Sequence, residues 1–484
     1  MTTITQLYPQ PLWQWFDQIC AIPHPSKHEA ALSAHIQAWA KEKGLDVEAD
    51  RVGNLIIRKP ATAGMENRKT VAIQAHLDMV PQKNDDKVHN FETDAIMPRI
   101  DGDWVKATGT TLGADNGIGM ASALALLGST DIAHGPLEVL LTIDEEAGMT
   151  GAFGLEAGKL QADILINTDS EQEGEIYMGC AGGVDAAINL PLSWTDAAPQ
   201  AQAFELKLSG LKGGHSGVNI HLGRGNANKL LARFLFGHGQ QLQLAGFTGG
   251  TLRNAIPREA SCRFVIASEH LPQLQADLAT YQQILSAELA SADADVTLTL
   301  VPADMPQKVM TSTAQQQFIA LMHACPNGVM RMSDEVEGVV ETSLNLGVVS
   351  LSDNEATLLC LIRSLIDTGR EELEGRLAAL VSLTDGKLQL SGAYPGWKPD
   401  NSSEIMAIVR DTYQDMYHKA PDIMVIHAGL ECGLFKKPYP LMDMVSVGPT
   451  IRFPHSPDEM VNIATVGHYW DLMLEVLKRI PAKA

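Results

Sequence analysis

Apolar and polar positions alternate in two different textures along this chain, and the texture changes twice. From Pro11 to about Gly183, helical and strand-like segments take turns. Lys27 to Lys43 carries apolar residues at helical spacing, and a short strand is predicted around Asn54-Leu55-Ile56-Ile57. Val71 to Ala75, Leu137 to Ile143 and Asp163 to Asn167 are short, apolar and bounded by turn residues, as strands buried on both faces are. Between them, Ile118 to Leu127 reads as a small-residue helix. This alternation predicts an α/β sheet with helices on both faces.

From about Val184 the strands become half-buried in pattern: Phe204 to Leu208, Cys262 to Ala267, Val296 to Val301, Leu344 to Leu351 and Ala356 to Ile362. Helical stretches at Asn226 to Phe236, Leu271 to Leu289 and Glu371 to Ser382 separate them, which suits an α+β unit with one open face. After Tyr394-Pro395-Gly396 the first texture resumes, with strands at Ile423 to Ile426 and Asp443 to Val447 and a last helix from Val466 to Lys478. The middle therefore reads as an insertion. Residues 1–185 and 394–484 are expected to form one discontinuous α/β domain, a mixed sheet flanked by helices. Residues 186–393 are expected to form an inserted α+β domain.

Composition narrows the setting. A chain of 484 residues is long for one core, in keeping with two domains. An apolar share of 45% and a charged share of 19% are those of a globular protein. The net charge of −22 argues against nucleic acid or an anionic membrane surface as a partner. No uninterrupted apolar run reaches the ~18 residues a membrane-spanning helix needs. The stretch Met1 to Gln10 lacks a basic start and a continuous apolar segment, so no secretory signal is expected. Six scattered cysteines with no C-x-x-C pair fit neither a disulfide framework nor a zinc ribbon, and point to a reducing cytoplasm.

The acidic and imidazole residues fall where the predicted strands end. His76 and Asp78 follow Val71–Ala75, Asp144-Glu145-Glu146 follow Leu137–Ile143, and Asp169 follows Asp163–Asn167. Strand ends and the loops after them are where open α/β sheets keep their sites. His76 and Asp78, two apart in a strand, point to the same side, so one can bind a metal while the other orients it or tunes its basicity. Imidazoles and carboxylates without thiolate suit catalytic zinc, manganese or cobalt. Two such ions need a bridging carboxylate, and Asp115, in the Gly-flanked string Gly113-Ala114-Asp115-Asn116-Gly117, is the best placed. Of Glu145 and Glu146, one can bind metal while its neighbour serves as general base; with Asp144 beside them, composition does not say which two matter.

Other chemistries fit worse. Gly214-His215-Ser216-Gly217 lacks the glycine a nucleophile elbow needs, since Val218 stands there. His28-Glu29 has Leu32 where H-E-x-x-H needs its second histidine. Neither a phosphate-binding loop nor a G-x-G-x-x-G fingerprint is present. Hydrolysis by metal-activated water is the scheme that remains.

The ordered set His76-x-Asp78, Gly113 to Gly117, Glu145-Glu146, Asp169 and Pro454-His455-Ser456 resembles that of the co-catalytic zinc peptidases, which include carboxypeptidase G, the tripeptidases and the dipeptidases. Strings such as Gly213 to Gly217, Thr251 to Pro257 and His427 to Gly433 extend the likeness over both predicted domains, towards the dipeptidases. The resemblance implies His76 and Asp169 on one metal, Glu146 and His455 on the other, and Asp115 bridging. It implies Glu145 as general base, Asp78 as the residue orienting His76, and a cis peptide between Asp115 and Asn116. The inserted domain would be a lid. From it His215 and Asn254 would stabilise the oxyanion and Arg363 would bind the substrate carboxylate, with Arg253 a competing carboxylate binder. His427 and Glu431 would lie near the substrate's amino end.

The expected protein is a cytoplasmic metallo-dipeptidase in which a hydroxide bridging two divalent ions attacks the peptide carbonyl. Zinc is the expected metal, with cobalt or manganese as alternatives. Dipeptides with free termini are the expected substrates, and by resemblance alone the residue at the second position includes histidine and the chain forms a homodimer. The rival readings are an amidohydrolase of the same scaffold acting on N-acyl amino acids, and a non-catalytic peptide-binding protein.

Overall fold

The computed structural model describes residues 3–483. Its first sheet has eight strands: β1 (Asp46–Ala49), β2 (Leu55–Lys59), β3 (Val71–His76), β4 (Leu137–Thr142), β5 (Ile164–Asn167), β6 (Glu175–Cys180), β7 (Asp422–Ile426) and β8 (Asp443–Ser446). They lie in the order β1-β2-β4-β3-β5-β8-β6-β7. The central four, β4, β3, β5 and β8, are parallel, and β1 and β2 continue the sheet antiparallel on one side. Every residue of β3, β4 and β5 is buried, Gln74 and Glu138 included, which is why these segments read as mostly apolar and not as alternating. The sheet is mixed and flanked by helices, an α/β arrangement.

Between β3 and β4 runs the helix Ala114–Gly128, buried along nearly its whole length. A helix apolar all round belongs inside a core, and this one shares its core with Phe16 and Ile19 of the helix Gln10–Ala21. It starts four residues before the predicted Ile118 because its first turn is irregular: Asp115 (φ −84°, ψ 108°) and Asn116 (φ −106°, ψ 32°) are not helical. A small antiparallel sheet joins Ile451–Arg452, Met460–Asn462, Trp104–Lys106 and Arg99–Asp101.

The chain divides into two compact units. Unit 1 holds residues 1–179, 399–425 and 430–484, and unit 2 holds residues 180–398 and 426–429. Unit 2 is built on an antiparallel sheet of nine strands with the helices Ala227–His238, Leu271–Glu288, Ser312–Ala324 and Asp367–Val381. Its strand Ala201–Ser209 alternates buried and exposed positions, the mark of a sheet covered on one face. One of its strands, Gly182–Pro191, buries Val184, Ala186, Ile188 and Leu190 at alternate positions. Glu355–Ser364 and Lys387–Tyr394 pair with it on either side.

Candidate metal centre

Because β3, β4 and β5 are parallel, their C-terminal ends share one edge of the sheet, where such folds carry their chemistry. His76 ends β3, Asp144 to Glu146 follow β4, and Asp169 follows β5. Asp115 enters from the first turn of Ala114–Gly128. Gly113 precedes it at φ +74°, a left-handed conformation that glycine adopts at little cost. The Asp115–Asn116 peptide is cis. His455 comes from the loop joining the paired strands Ile451–Arg452 and Met460–Asn462.

These side chains converge on Asp115. Its Oδ1 lies 3.2 Å from His76 Nε2, and that nitrogen is 3.3 Å from Asp169 Oδ1. Its Oδ2 lies 3.1 Å from His455 Nε2, which is 3.0 Å from Glu146 Oε1. Each oxygen of one carboxylate therefore faces its own imidazole–carboxylate pair. Two donors held about 2.0–2.1 Å from one tetrahedral zinc lie about 3.3 Å apart. The spacing within each group fits a divalent ion, and the thiolate-free donor set suits zinc, cobalt or manganese.

The surrounding carboxylates favour the protonated form of both imidazoles. Burial disfavours a charged His76, but Asp169, Asp115 and Asp78 overcome this and hold its pKa well above the usual value. Hydrogen bonds to Asp115 and Glu146 raise His455 to about 11. Burial would raise Asp115, yet His455 and His76 hold it below the usual carboxylate range. A bound metal must displace the imidazole protons, because histidine binds metal in its neutral form. Glu145 is pushed well above its ordinary value, first by burial; His76 opposes this, and Asp169, Glu431 and Glu146 add to it. A carboxylate with raised proton affinity suits a group that takes a proton and returns it.

Asp78 stands outside the converging oxygens. His76 Nδ1 is 2.9 Å from the Asp78 backbone oxygen and 3.4 Å from its Oδ1, so the carbonyl is the nearer acceptor and Nε2 is left free to bind metal. The Asp78 carboxylate accepts hydrogen bonds from the backbone N–H of Glu145 (2.9 Å) and Glu146 (3.1 Å) and from Ser26 Oγ (2.7 Å). It thus fixes the turn that carries Glu145 and Glu146 as well as the ring of His76. Burial would raise its pKa, but these bonds and His76 hold it at about 2. Sequence reasoning misses Ser26, and also Asn116, whose Nδ2 donates to Asp169 Oδ1 at 2.6 Å. The one signal for Asn116 is its place beside Asp115. Glu431 is wholly buried, its Oε2 accepting from Gln74 Nε2 (2.6 Å) and Thr142 Oγ1 (2.9 Å).

Within unit 2, Arg363 is only 6% exposed and has Ser216 Oγ and Tyr394 OH each at 3.4 Å. Among the described residues, no carboxylate lies within 4.0 Å of it. A buried guanidinium with no carboxylate in contact is costly and favours an incoming anion. Arg253, in contrast, is exposed and ion-paired with Asp185. His215 Nδ1 accepts from the backbone N–H of Gly217 (3.2 Å) and Val218 (3.0 Å), which leaves the proton of the neutral ring on Nε2. Burial and then Arg363 lower its pKa to about 4, so the ring is a neutral donor. His427 is buried with Nε2 2.8 Å from Ser343 Oγ. Asn254 is exposed, and its backbone oxygen accepts from Ser216 N at 2.9 Å.

Residues 72–479 match the family model described as peptidase family M20/M25/M40. The chain is 59% identical over 485 residues to the cytosol non-specific dipeptidase of Escherichia coli (strain K12), covering 100% of both. It is 60% identical to the aminoacylhistidine dipeptidase of Vibrio alginolyticus, whose crystal structure matches with a TM-score of 0.96, covering 100% of this chain and 99% of that one. The aminopeptidase PepT of Bacillus cereus shares the fold at 15% identity, with a TM-score of 0.58 and 98% and 99% of the two chains covered.

Proposed function

Because the chain belongs to peptidase family M20/M25/M40, we propose that its five converging donors hold two divalent ions used to hydrolyse dipeptides with free termini. The chain is a hydrolase acting on peptide bonds, a metal-dependent dipeptidase like its full-length relatives. The observation that carries the two-ion reading is Asp115, with one oxygen turned to His76 and Asp169 and the other to His455 and Glu146.

A divalent pair held there would polarise the scissile carbonyl and acidify a water. His76 and Asp169 would hold one ion, His455 and Glu146 the other, and Asp115 both. Glu145 accepts the water's proton as its oxygen bonds to the carbonyl carbon, then passes that proton to the amine as the C–N bond breaks. Asp78 keeps Glu145 and Glu146 in place through their backbone N–H groups. By the family resemblance, His215 would donate its Nε2–H to the developing oxyanion and Asn254 would be a second donor. Arg363 takes the substrate carboxylate, a role supported by its burial with no carboxylate in contact.

Zinc is the proposed ion, with cobalt and manganese as alternatives. The name of the Vibrio relative supports Xaa-His among the substrates. A cytoplasmic place is supported by the name of the Escherichia coli relative; among the described residues, no helix is long and apolar enough to cross a membrane. The net charge of −22 speaks against nucleic acid and anionic membranes as partners. A homodimer rests on the family resemblance alone.

The test is to strip the protein with a chelator and titrate divalent ions back over a panel of dipeptides and their N-acetylated counterparts. Hydrolysis should require the ion, favour free dipeptides and include Xaa-His. Preference for the acetylated forms would instead identify an N-acyl amidohydrolase, and no hydrolysis with any ion would identify a peptide-binding protein. Glu145→Ala should retain both ions while kcat falls about 10²–10⁴-fold. An unchanged kcat would remove Glu145 from the base role.

A further inference from the structure

Glu459 stands four residues after His455, is only 2% exposed and turns its carboxylate onto the approach to Asp115. Its Oε2 accepts from the backbone N–H of Leu112 (2.8 Å) and Gly113 (3.0 Å). Its Oε1 accepts from those of Ala114 (2.8 Å) and Asp115 (3.2 Å). Four consecutive backbone donors thus end on one side chain. An ordinary helix start is served by a short side chain at the helix's own N-cap, which takes one or two such groups. Here a whole carboxyl group from a distant loop is instead buried beside Asp115, with both of its oxygens used.

We propose that Glu459 is a positioning residue for the metal pair: it holds the backbone of Asp115 so that each carboxylate oxygen faces its own ion, and it ties that backbone to the loop bearing His455. The need is geometric. A carboxylate shared by ions about 3.5–4 Å apart tolerates displacements of only about 0.5 Å. Asp has a short side chain, so its oxygens go where its backbone goes. That backbone is not helical at Asp115 or Asn116, and regular helix bonds do not fix it. Glu459 itself is anchored, because the next residues, Met460–Asn462, pair with both Ile451–Arg452 and Trp104–Lys106. One side chain therefore links the bridging ligand to the element that carries a terminal ligand.

The inference rests on the two-ion reading above, and the experiment separates the two. Zinc stoichiometry and affinity are measured by competition with a chromophoric chelator, alongside melting temperature, kcat and KM for one dipeptide. The proteins are the unaltered chain, Glu459→Gln, Glu459→Asp and Ser403→Ala. Ser403 caps the distant helix Glu404–Tyr417, accepting from Met406 N at 3.1 Å, and controls for loss of a helix cap. Glu459→Gln keeps the size but turns one acceptor into a donor facing two N–H groups. Its affinity for at least one zinc should fall about 10–100-fold, with kcat lowered and KM little changed. Glu459→Asp, which keeps the charge, should recover part of the affinity. Ser403→Ala should lose melting temperature alone. If Glu459→Gln melts earlier but binds zinc and turns over as before, Glu459 is a helix cap and the proposal fails. If Glu459→Gln does not fold, Glu459→Asp is judged by the same criterion; folding of neither, with or without zinc, also overturns the proposal. An unaltered chain that binds fewer than two zinc ions would count against the two-ion reading instead.

Discussion

Asp115 is asked to satisfy two imidazoles with one side chain, and its oxygens diverge to do so. Asp169, by contrast, meets only His76 among the two imidazoles. Replacing each by its neutral isostere should therefore give different metal counts. Asp115→Asn should lose or weaken both ions, whereas Asp169→Asn should keep the ion at Glu146 and His455. Metal per chain after dialysis against zinc checks this, and equal counts in the two variants would mean that Asp115 is not shared. The same residues show how far single positions were legible. The spacing of His76 and Asp78 placed them together at a strand end, and the family pattern made one the ligand and the other its orienter. It did not reveal that the Asp78 backbone oxygen is the nearer acceptor for Nδ1, or that its carboxylate takes the N–H groups of Glu145 and Glu146. Those partners come from a loop after a different strand, and spacing along the chain carries no information about them.

Among the elements, the helix Ala114–Gly128 does most to shape the centre. A Cβ at Gly119 would lie 2.0 Å from Asn116 Oδ1 and 2.1 Å from Thr168 Oγ1. Asn116 donates to Asp169, so any shift there reaches a candidate ligand. Helix propensity alone says that Gly→Ala in a helix interior gains up to about 1 kcal/mol; overpacking says it costs about 1–3 kcal/mol. At 2.0 Å the clash dominates. Gly119→Ala should destabilise the metal-free chain in denaturant unfolding and weaken zinc binding at His76 and Asp169. A more stable variant would contradict this packing. Element positions were legible where burial imposes a mostly apolar run, as in β3, β4 and β5. In Gly182–Pro191 the signal is instead alternation, with Val184, Ala186, Ile188 and Leu190 buried, and neighbours pair with it on both sides.

Over the whole molecule, unit 1 gathers three separate stretches of chain, and the donor residues run from His76 to His455. An ion that binds only the folded arrangement stabilises it by about 2.7 kcal/mol when free ion is a hundred times its Kd. Removing metal should lower the melting temperature, and hydrogen exchange should quicken at β3, β4, β5 and β8. Faster exchange confined to unit 2, or an unchanged melting temperature, would rule out the centre as a folding cross-link. The exchange of short segments between the units is not legible in the sequence. Within the string His427-Ala428-Gly429-Leu430-Glu431, His427 belongs to unit 2 and Glu431 to unit 1, with no compositional break between them. By itself the sequence determined the chemical types of the candidate donors and their order along the chain, and located His76, Glu146 and Asp169 at strand ends, because burial patterns and residue chemistry are local properties. Only the tertiary structure decided which oxygen of Asp115 faces which imidazole, that Asp78 steadies Glu145 and Glu146, and that Glu459 takes four backbone donors. Those facts depend on distances between loops far apart in the chain, which are set by how the elements pack.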